Sequence, residues 1–305
     1  MRNRNAVYLL HMHYGILFAL TALVAWAFDD FFIGRSSKRL GSVQALFFLA
    51  WFGTILLLPF SWHGLSVFVS IWSWGSPIIT LCIALIVITL IAALADFEAL
   101  RVGKLSAIDP LYAFEVPLTV GIAYLLIGET LSVASWILIV CMMVGMVLVS
   151  TKSLVHLKSI RLEKGLVFAL TSILFMGGTN FLTGYGARLT SPVVINWISY
   201  AGLAVCTSFY LLYKGQLKHT LRTILQHPAL LLGLGIADVI AWTSFAKSAS
   251  LIPIGLTTAI SEAYIGLAVL LGLYFNKEKL RRHQFIGIGI IIVGVVTLSY
   301  LSLLE

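Results

Sequence analysis

The chain has 305 residues, of which 60% are hydrophobic and only 10% are charged, and its mean hydropathy is +1.02. Soluble domains contain about 25% charged and about 45–50% apolar residues, so this composition excludes an ordinary water-soluble domain. The formal net charge is +8. The cations lie in short connections between apolar segments, so this charge does not indicate binding to nucleic acid.

Ten apolar segments follow one another along the chain, each close to the length of about 20 helical residues that crosses a bilayer. In chain order they cover residues 14–33, 41–60, 77–100, 106–127, 131–151, 165–186, 192–213, 229–250, 254–275 and 283–303, which we call spans 1 to 10. A transmembrane barrel would show alternating segments of about ten residues instead, and the sequence has none. We therefore predict an all-α integral membrane protein with ten transmembrane helices.

Lysine and arginine are distributed unevenly among the connections. Sixteen of the twenty follow spans 1, 3, 5, 7 and 9, whereas the termini and the other connections hold only Arg2, Arg4 and Arg188. Because cytoplasmic loops are enriched in these residues, we expect the basic connections in the cytoplasm and both termini outside. The bias also argues against an antiparallel dual-topology dimer, and we expect a monomer in a bacterial inner membrane.

The two halves of the chain are similar to each other. The segment "GILFALTALVAWAFDDFFIG" (15–34) aligns with "GLVFALTSILFMGGTNFLTG" (165–184), and seven of the twenty positions are identical. The sequence thus predicts a first five-helix repeat (14–151), a basic linker (152–164) and a second five-helix repeat (165–303). Because five is odd, the two repeats must insert with opposite orientation. Inverted repeats are typical of alternating-access carriers, which bind their substrate near the midplane between the repeats.

Each repeat ends in a short acidic turn before a glycine-containing helix, in "LLIGETLSVASWILIVCMMVGMVLVS" (125–150) and in "LYFNKEKLRRHQFIGIGIIIVGVVTLS" (273–299). With these endings the repeats resemble the EamA-type carriers of the drug/metabolite transporter superfamily. The resemblance implies that spans 1–4 and 6–9 surround a central cavity while spans 5 and 10 act as a scaffold. It also implies that Glu129 and Glu278 cap the turns before spans 5 and 10. Members of this family usually have cytoplasmic termini, whereas the charge distribution predicts the opposite.

Adjacent acids in span 1 are the first candidate site. Asp29 and Asp30 lie within "AWAFDDFFIG", and the repeat aligns them with Thr179 and Asn180, so both copies are polar here. A charged side chain at a helix centre costs about 2.5–3.5 kcal/mol on insertion scales, which makes a functional role the default interpretation. Successive helical residues differ by about 100°, so at most one aspartate should point squarely into a cavity. A solvated helix end remains the alternative for the pair.

Glutamates in spans 4 and 9 form the second candidate site. Glu115 lies beside Pro117, which loosens the helix, and Tyr112 lies on the same helical face. Glu262 lies at a similar depth in span 9. Both are predicted to bind substrate or protons, with an interhelical hydrogen bond from a protonated acid as the alternative.

Aspartates in spans 3 and 8 complete the candidates. Asp238 has Trp242 one turn later, and an acid with an aromatic neighbour suits an organic cation or amine. Asp96, near the end of span 3, is the acid expected to face the cavity there. The candidate residues for binding substrate or protons are therefore Asp29, Asp30, Asp96, Tyr112, Glu115, Asn180, Asp238, Trp242 and Glu262.

The predicted function is secondary active transport of a small metabolite, of the amino acid or organic cation class, coupled to protons. The expected partners are this substrate, protons and membrane lipid, without nucleic acid. The sequence contains no nucleotide-binding motif and no His or Cys set with metal-ligand spacing. We therefore expect no cofactor, no metal and no enzymatic activity. The alternatives are an uncoupled facilitator or exchanger of neutral amino acids and a translocator of lipid-type substrates.

Overall fold

The protein is described by a computed structural model covering residues 2–70, 76–102, 111–150, 164–276 and 281–304. Among those residues are no strand and twelve helices whose two ends are both placed: α1 (Arg2–Leu40), α2 (Ser42–Ser70), α3 (Pro77–Val102), α4 (Glu115–Ile127), α5 (Val133–Ser150), α6 (Lys164–Leu189), α7 (Pro192–Tyr213), α8 (Leu217–Gln226), α9 (Pro228–Leu251), α10 (Ile254–Ser261), α11 (Tyr264–Asn276) and α12 (Arg282–Leu304).

Eight helices within the described residues are long and apolar enough to cross a membrane, and two shorter apolar stretches, 115–127 and 254–268, correspond to spans 4 and 9. The all-α, multi-pass membrane fold is thus confirmed. The linker 152–164 lies outside the described residues except for Lys164, where α6 begins. Glu278 also lies outside them.

Spans 4 and 9 are each interrupted within their apolar segment, whereas the sequence predicted continuous helices. A two-residue turn at 113–114 precedes α4, and a second turn at 262–263 separates α10 from α11. Pro117 accounts for the first interruption, because it has no N–H to donate to the carbonyl of Ala113, four residues earlier. At the second interruption the Gly266 N–H donates to the Ala263 carbonyl, so the chain takes a tighter turn there.

Helices of the first repeat pair with helices of the second, and each such pair has an equivalent in which the two repeats have changed roles. Span 1 (α1) packs along span 8 (α9), and span 6 (α6) packs along span 3 (α3) in the corresponding way. The second span of each repeat (α2 and α7) pairs with its counterpart, and so does the fifth (α5 and α12). This arrangement is the one expected of two five-helix repeats related by an approximate twofold axis.

The fifth spans form a tight pair away from the centre of the molecule. A Cβ atom added to Gly287 would lie 2.7 Å from the Gly145 carbonyl oxygen, so the two backbones touch. Small residues allow this approach between membrane helices, where van der Waals packing drives association.

The basic connection between spans 7 and 8 contains α8, a ten-residue helix that the sequence analysis treated as loop. Leu221 and Leu225 lie one turn apart on it and are exposed. Lys218 and Arg222, also one turn apart, are exposed as well. Apolar and basic residues of this kind suit a helix lying at the membrane surface.

Candidate substrate-binding site

A polar cavity of about 80 Å³ lies between the two repeats, large enough for several water molecules. Side chains from α1, α2, α3, α4, α6, α7, α9 and α11 and from the two helix interruptions surround it. All nine residues that the sequence singled out border this one cavity: Asp29, Asp30, Asp96, Tyr112, Glu115, Asn180, Asp238, Trp242 and Glu262. That these residues bind substrate or protons stays a prediction.

Both aspartates of span 1 border the cavity. Asp29 is 2% exposed, and its carboxyl group lies close to that of Asp238 of α9. Asp30 lies close enough to Glu115 to interact with it electrostatically. The cavity therefore extends around α1 from α9 toward α4, and each aspartate faces a different part of it.

Asp238 is the centre of a hydrogen-bonded group on the second repeat. Tyr200 of α7 donates its hydroxyl to Asp238 Oδ2, and the side chains of Asp29 and Trp242 lie close to the Asp238 carboxyl group. An acid of the first repeat and an acid of the second thus face each other at the cavity.

Asp96 is held in a similar way on the first repeat. The Tyr112 hydroxyl donates to Asp96 Oδ1 at 2.6 Å, and both side chains are buried. Tyr112 directly precedes the interruption of span 4, and Glu115 follows that interruption as the first residue of α4. The break therefore brings a tyrosine and a glutamate to the cavity from opposite sides of the same turn.

Glu262 lies in the corresponding interruption of span 9 and is 3% exposed. The Asn180 amide nitrogen donates to Glu262 Oε1 at 3.5 Å. Glu115 and Glu262 are close enough to interact electrostatically, so the two interrupted helices approach each other at the cavity. Interrupted helices at the interface of inverted repeats are common at the binding sites of secondary transporters.

Aromatic rings form one wall of the cavity. Trp26 of α1 lies edge-on to Trp242, with ring centroids 5.3 Å apart, and its centroid is 6.1 Å from that of Tyr264. All three rings border the cavity. Aromatic faces attract cations, which suits a positively charged ligand here.

The described lining contains six carboxylic acids and no lysine, arginine or histidine. Isolated buried charges are costly without a partner, and like charges close together add to that cost. Protonation of these acids or a compensating positive charge would lower that cost.

Several cavity residues were missed in the sequence. Tyr200, Trp26 and Tyr264 lie in apolar spans, where aromatic residues are common and carry no specific signal. Asn196 and Ser199 also border the cavity. The stretch "NWISY" (196–200), which places three polar groups inside span 7, was the signal that could have identified this helix as lining the cavity.

Glu129 caps a helix, but not the one that the family resemblance implied. Its carboxylate accepts from the N–H of Gly255, near the start of α10, at 3.0 Å, and pairs with Arg188 at 3.0 Å. Arg188 also donates to the carbonyl oxygens of Ala249 and Ile252 at the end of α9. Glu129 belongs to the first repeat and its partners belong to the second, so this cluster joins the repeats outside the cavity.

The helices and the cavity together define a multi-pass membrane protein built from two repeats around a central polar site. Residues 13–151 and 163–300 each match the model of the EamA-like transporter family. Because these matches cover most of the chain, it belongs to that family and is a transporter of the drug/metabolite transporter superfamily.

Similarity to a solved structure agrees with this assignment at the level of the fold. That structure, described only as "Crystal structure of protein", aligns with a TM-score of 0.70 and 16% sequence identity. The alignment covers 94% of this chain and 97% of the other chain. No curated protein matches the sequence.

Proposed function

We propose that this transporter is a secondary active carrier that moves a small metabolite by alternating access in exchange for protons. The observation that carries the proposal is the composition of the cavity: six acids from both repeats, without a basic side chain in the described lining. Intramembrane acids are costly, and in transporters they mark substrate pathways and proton relays.

Competition for the same acids provides the coupling. Asp29 and Asp238 lie close together, and a proton held between their carboxyl groups would compete with a cationic substrate that approaches either acid. A carrier that binds either the proton or the substrate, but not both, couples the proton gradient to the substrate gradient. The reason is that each ligand favours its own bound state of the carrier. Asp29 lies on the first repeat and Asp238 on the second, so this exchange would act where the repeats move against each other.

The orientation of the carrier in the membrane is inferred from the distribution of charge. The basic connections are proposed to face the cytoplasm of a bacterial cell, which places the cluster of Arg188 and Glu129 on the outer face. Export of substrate would then be driven by protons returning through the same cavity.

Currents recorded from proteoliposomes on a solid support test the proposal. A panel of small metabolites is applied with and without a pH gradient, and we expect the gradient to drive current for at least one of them. Replacing Asp238 by Asn, Glu115 by Gln or Glu262 by Gln should remove the drive. Glu98→Gln is the matched control, because Glu98 pairs with Arg101 and does not border the cavity. Full coupling in all three cavity variants would overturn the proposal.

A further inference from the structure

An apolar groove lies between α1 of the first repeat and α9 of the second, apart from the central cavity. Its volume is about 650 Å³, within the range of about 300–1,000 Å³ that ligand pockets in proteins occupy. Four of the side chains that line it are between 45% and 57% exposed, namely Leu17, Val24, Ile236 and Ile240. The groove is therefore open along its outer side, where the chain faces the membrane.

The lining of the groove suits a hydrocarbon chain. Thr21 supplies the one hydroxyl among the side chains that line it, and this hydroxyl already donates to the Leu17 carbonyl at 2.9 Å. Along α1 the lining runs from Leu17 to Phe32, about 22 Å at 1.5 Å per residue. One leaflet of the bilayer has a hydrocarbon thickness of about 15 Å, half of about 30 Å. An acyl chain of a phospholipid therefore fits the groove in both chemistry and length.

The groove ends beside an arginine. Phe32 lines this end, and the ring centroid of Phe31 lies 5.5 Å from that of Phe32. The guanidinium carbon of Arg35 lies 3.7 Å from the centroid of the Phe31 ring, and Arg35 is exposed. The side chain thus points back along α1 toward the end of the groove. A guanidinium in this position can bind a phosphate group through two hydrogen bonds.

The basic helix α8 lies at the same end of the molecule. It packs against both α1 and α9, and Gln216, which precedes α8, bonds to Gln44 near the start of α2 at 3.3 Å. Residues 34–50 and 214–237 contain six lysines and arginines and no aspartate or glutamate. No acid within these two stretches offsets their charge, so this end of the groove presents a basic surface at the level of the lipid headgroups.

We propose that an anionic phospholipid binds between α1 and α9, with one acyl chain in the groove and its phosphate group against Arg35 and the basic residues of α8. Lysines and arginines at a membrane surface attract anionic lipids in this way. The lipid contacts one helix of each repeat, and these are the helices that carry Asp29 and Asp238 toward the cavity. This site does not depend on which substrate the cavity carries.

Other occupants of the groove suit the basic end less well. A zwitterionic phospholipid provides the acyl chain, but its headgroup carries a cation of its own. A second copy of the chain has a formal net charge of +8, so like charges would meet. An anionic phospholipid supplies both the hydrocarbon chain and the negative charge.

Native mass spectrometry of the purified full-length protein in detergent tests this proposal. Dioleoylphosphatidylglycerol and dioleoylphosphatidylcholine have the same acyl chains and differ in headgroup charge, and glycerol 3-phosphate has the phosphate without the chains. We expect the first molecule of phosphatidylglycerol to bind at least about tenfold more tightly than phosphatidylcholine, and glycerol 3-phosphate not to bind. Equal binding of the two lipids would overturn the proposal, and so would a lipid-free dimer that Val24→Trp disrupts.

Two variants locate the bound lipid. Arg35→Gln should weaken binding of phosphatidylglycerol about fivefold and leave phosphatidylcholine unchanged. Arg282→Gln is the matched control, because Arg282 is an exposed arginine on α12, which does not line the groove. Val24→Trp should weaken both lipids about tenfold, the loss expected when about two methylene groups are displaced from the groove.

Val205→Trp is the control for the groove variant. Val205 is 51% exposed, close to the 47% of Val24, and lies on α7, outside the groove. Equal effects of Arg35→Gln and Arg282→Gln would show that the preference is a general response to charge and would overturn the headgroup site. Equal effects of Val24→Trp and Val205→Trp would overturn the placement of the acyl chain.

Discussion

Tyrosine hydroxyls hold two of the cavity acids in place. Tyr200 donates to Asp238 and Tyr112 donates to Asp96, one pair on each repeat. Hydrogen bonds to charged or buried acids are stronger than average and leave a costly unpaired acceptor when they are removed. These tyrosines therefore fix the position of the acids that are proposed to exchange protons.

Removing one of these hydroxyls should change both stability and pH dependence. We expect Tyr200→Phe to lower the free energy of unfolding by about 1–3 kcal/mol, because Asp238 loses a buried donor. The pH at which gradient-driven current is half-maximal should move as well, since the proton on the Asp29–Asp238 pair loses a neighbour. Thermal unfolding and currents measure the two effects.

Tyr213→Phe is the control for this experiment, because Tyr213 lies at the end of the same helix and is 85% exposed. An unchanged stability and pH dependence in Tyr200→Phe would show that the hydroxyl does not support Asp238.

The acids could be identified from the sequence, whereas their partners could not. A carboxylate inside an apolar span is costly enough that Asp96, Glu115 and Asp238 stand out without a structure. A tyrosine or tryptophan in a span carries no such cost, so Tyr200 and Trp26 were indistinguishable from packing residues. The contact between Asp29 and Asp238 joins two repeats, and no local pattern reports it.

Two interrupted helices, spans 4 and 9, contribute to the site. The second halves of spans 4 and 9, α4 and α11, are each 13 residues long and begin at Glu115 and Tyr264. The first interruption could be predicted, because Pro117 removes a helix hydrogen bond four residues before itself. The second has no proline, and no local pattern in the sequence predicts its position.

The packing of α5 against α12 can be tested by substitution of a glycine at their contact. Gly287→Val should lower the free energy of unfolding by about 1–3 kcal/mol, because the added side chain meets the backbone of α5, which cannot move aside. Gly289→Val is the matched control on the same helix, since an added Cβ there meets nothing within 4 Å. Thermal unfolding of the purified variants measures the effect, and equal stability of the two would contradict this account of the packing.

At the scale of the whole molecule, one polar cluster joins the repeats outside the cavity. Gly128 adopts a left-handed conformation, with φ of 65°, and the chain then places Glu129 between Arg188 and the N–H of Gly255. The resemblance to the family pointed to Glu129 as a cap, but the helix it caps lies in the other repeat. Alternating access requires such contacts between the repeats to form on one face and break on the other.

Weakening this cluster should favour opening of the face on which Arg188 lies. Glu129→Gln keeps the size of the side chain and removes its charge. We expect the cluster to be weakened by about 1 kcal/mol, which shifts the opening equilibrium about fivefold toward the open state. A cysteine at Thr183, a buried cavity residue, should then react about fivefold faster with an impermeant maleimide applied from that face.

The three native cysteines are replaced in this experiment, and Glu98→Gln serves as the control. A labelling rate that does not change in Glu129→Gln would show that the cluster does not hold the repeats closed.

Proton movement during transport tests the central claim most directly. A pH-sensitive dye is enclosed in liposomes that contain the protein, and a transported member of the metabolite panel is applied outside without any pH gradient. We predict that entry of the substrate drives protons out, so the lumen becomes alkaline in the unmodified protein and not in Asp238→Asn. Uptake of labelled substrate with no change in luminal pH would contradict proton exchange at this cavity.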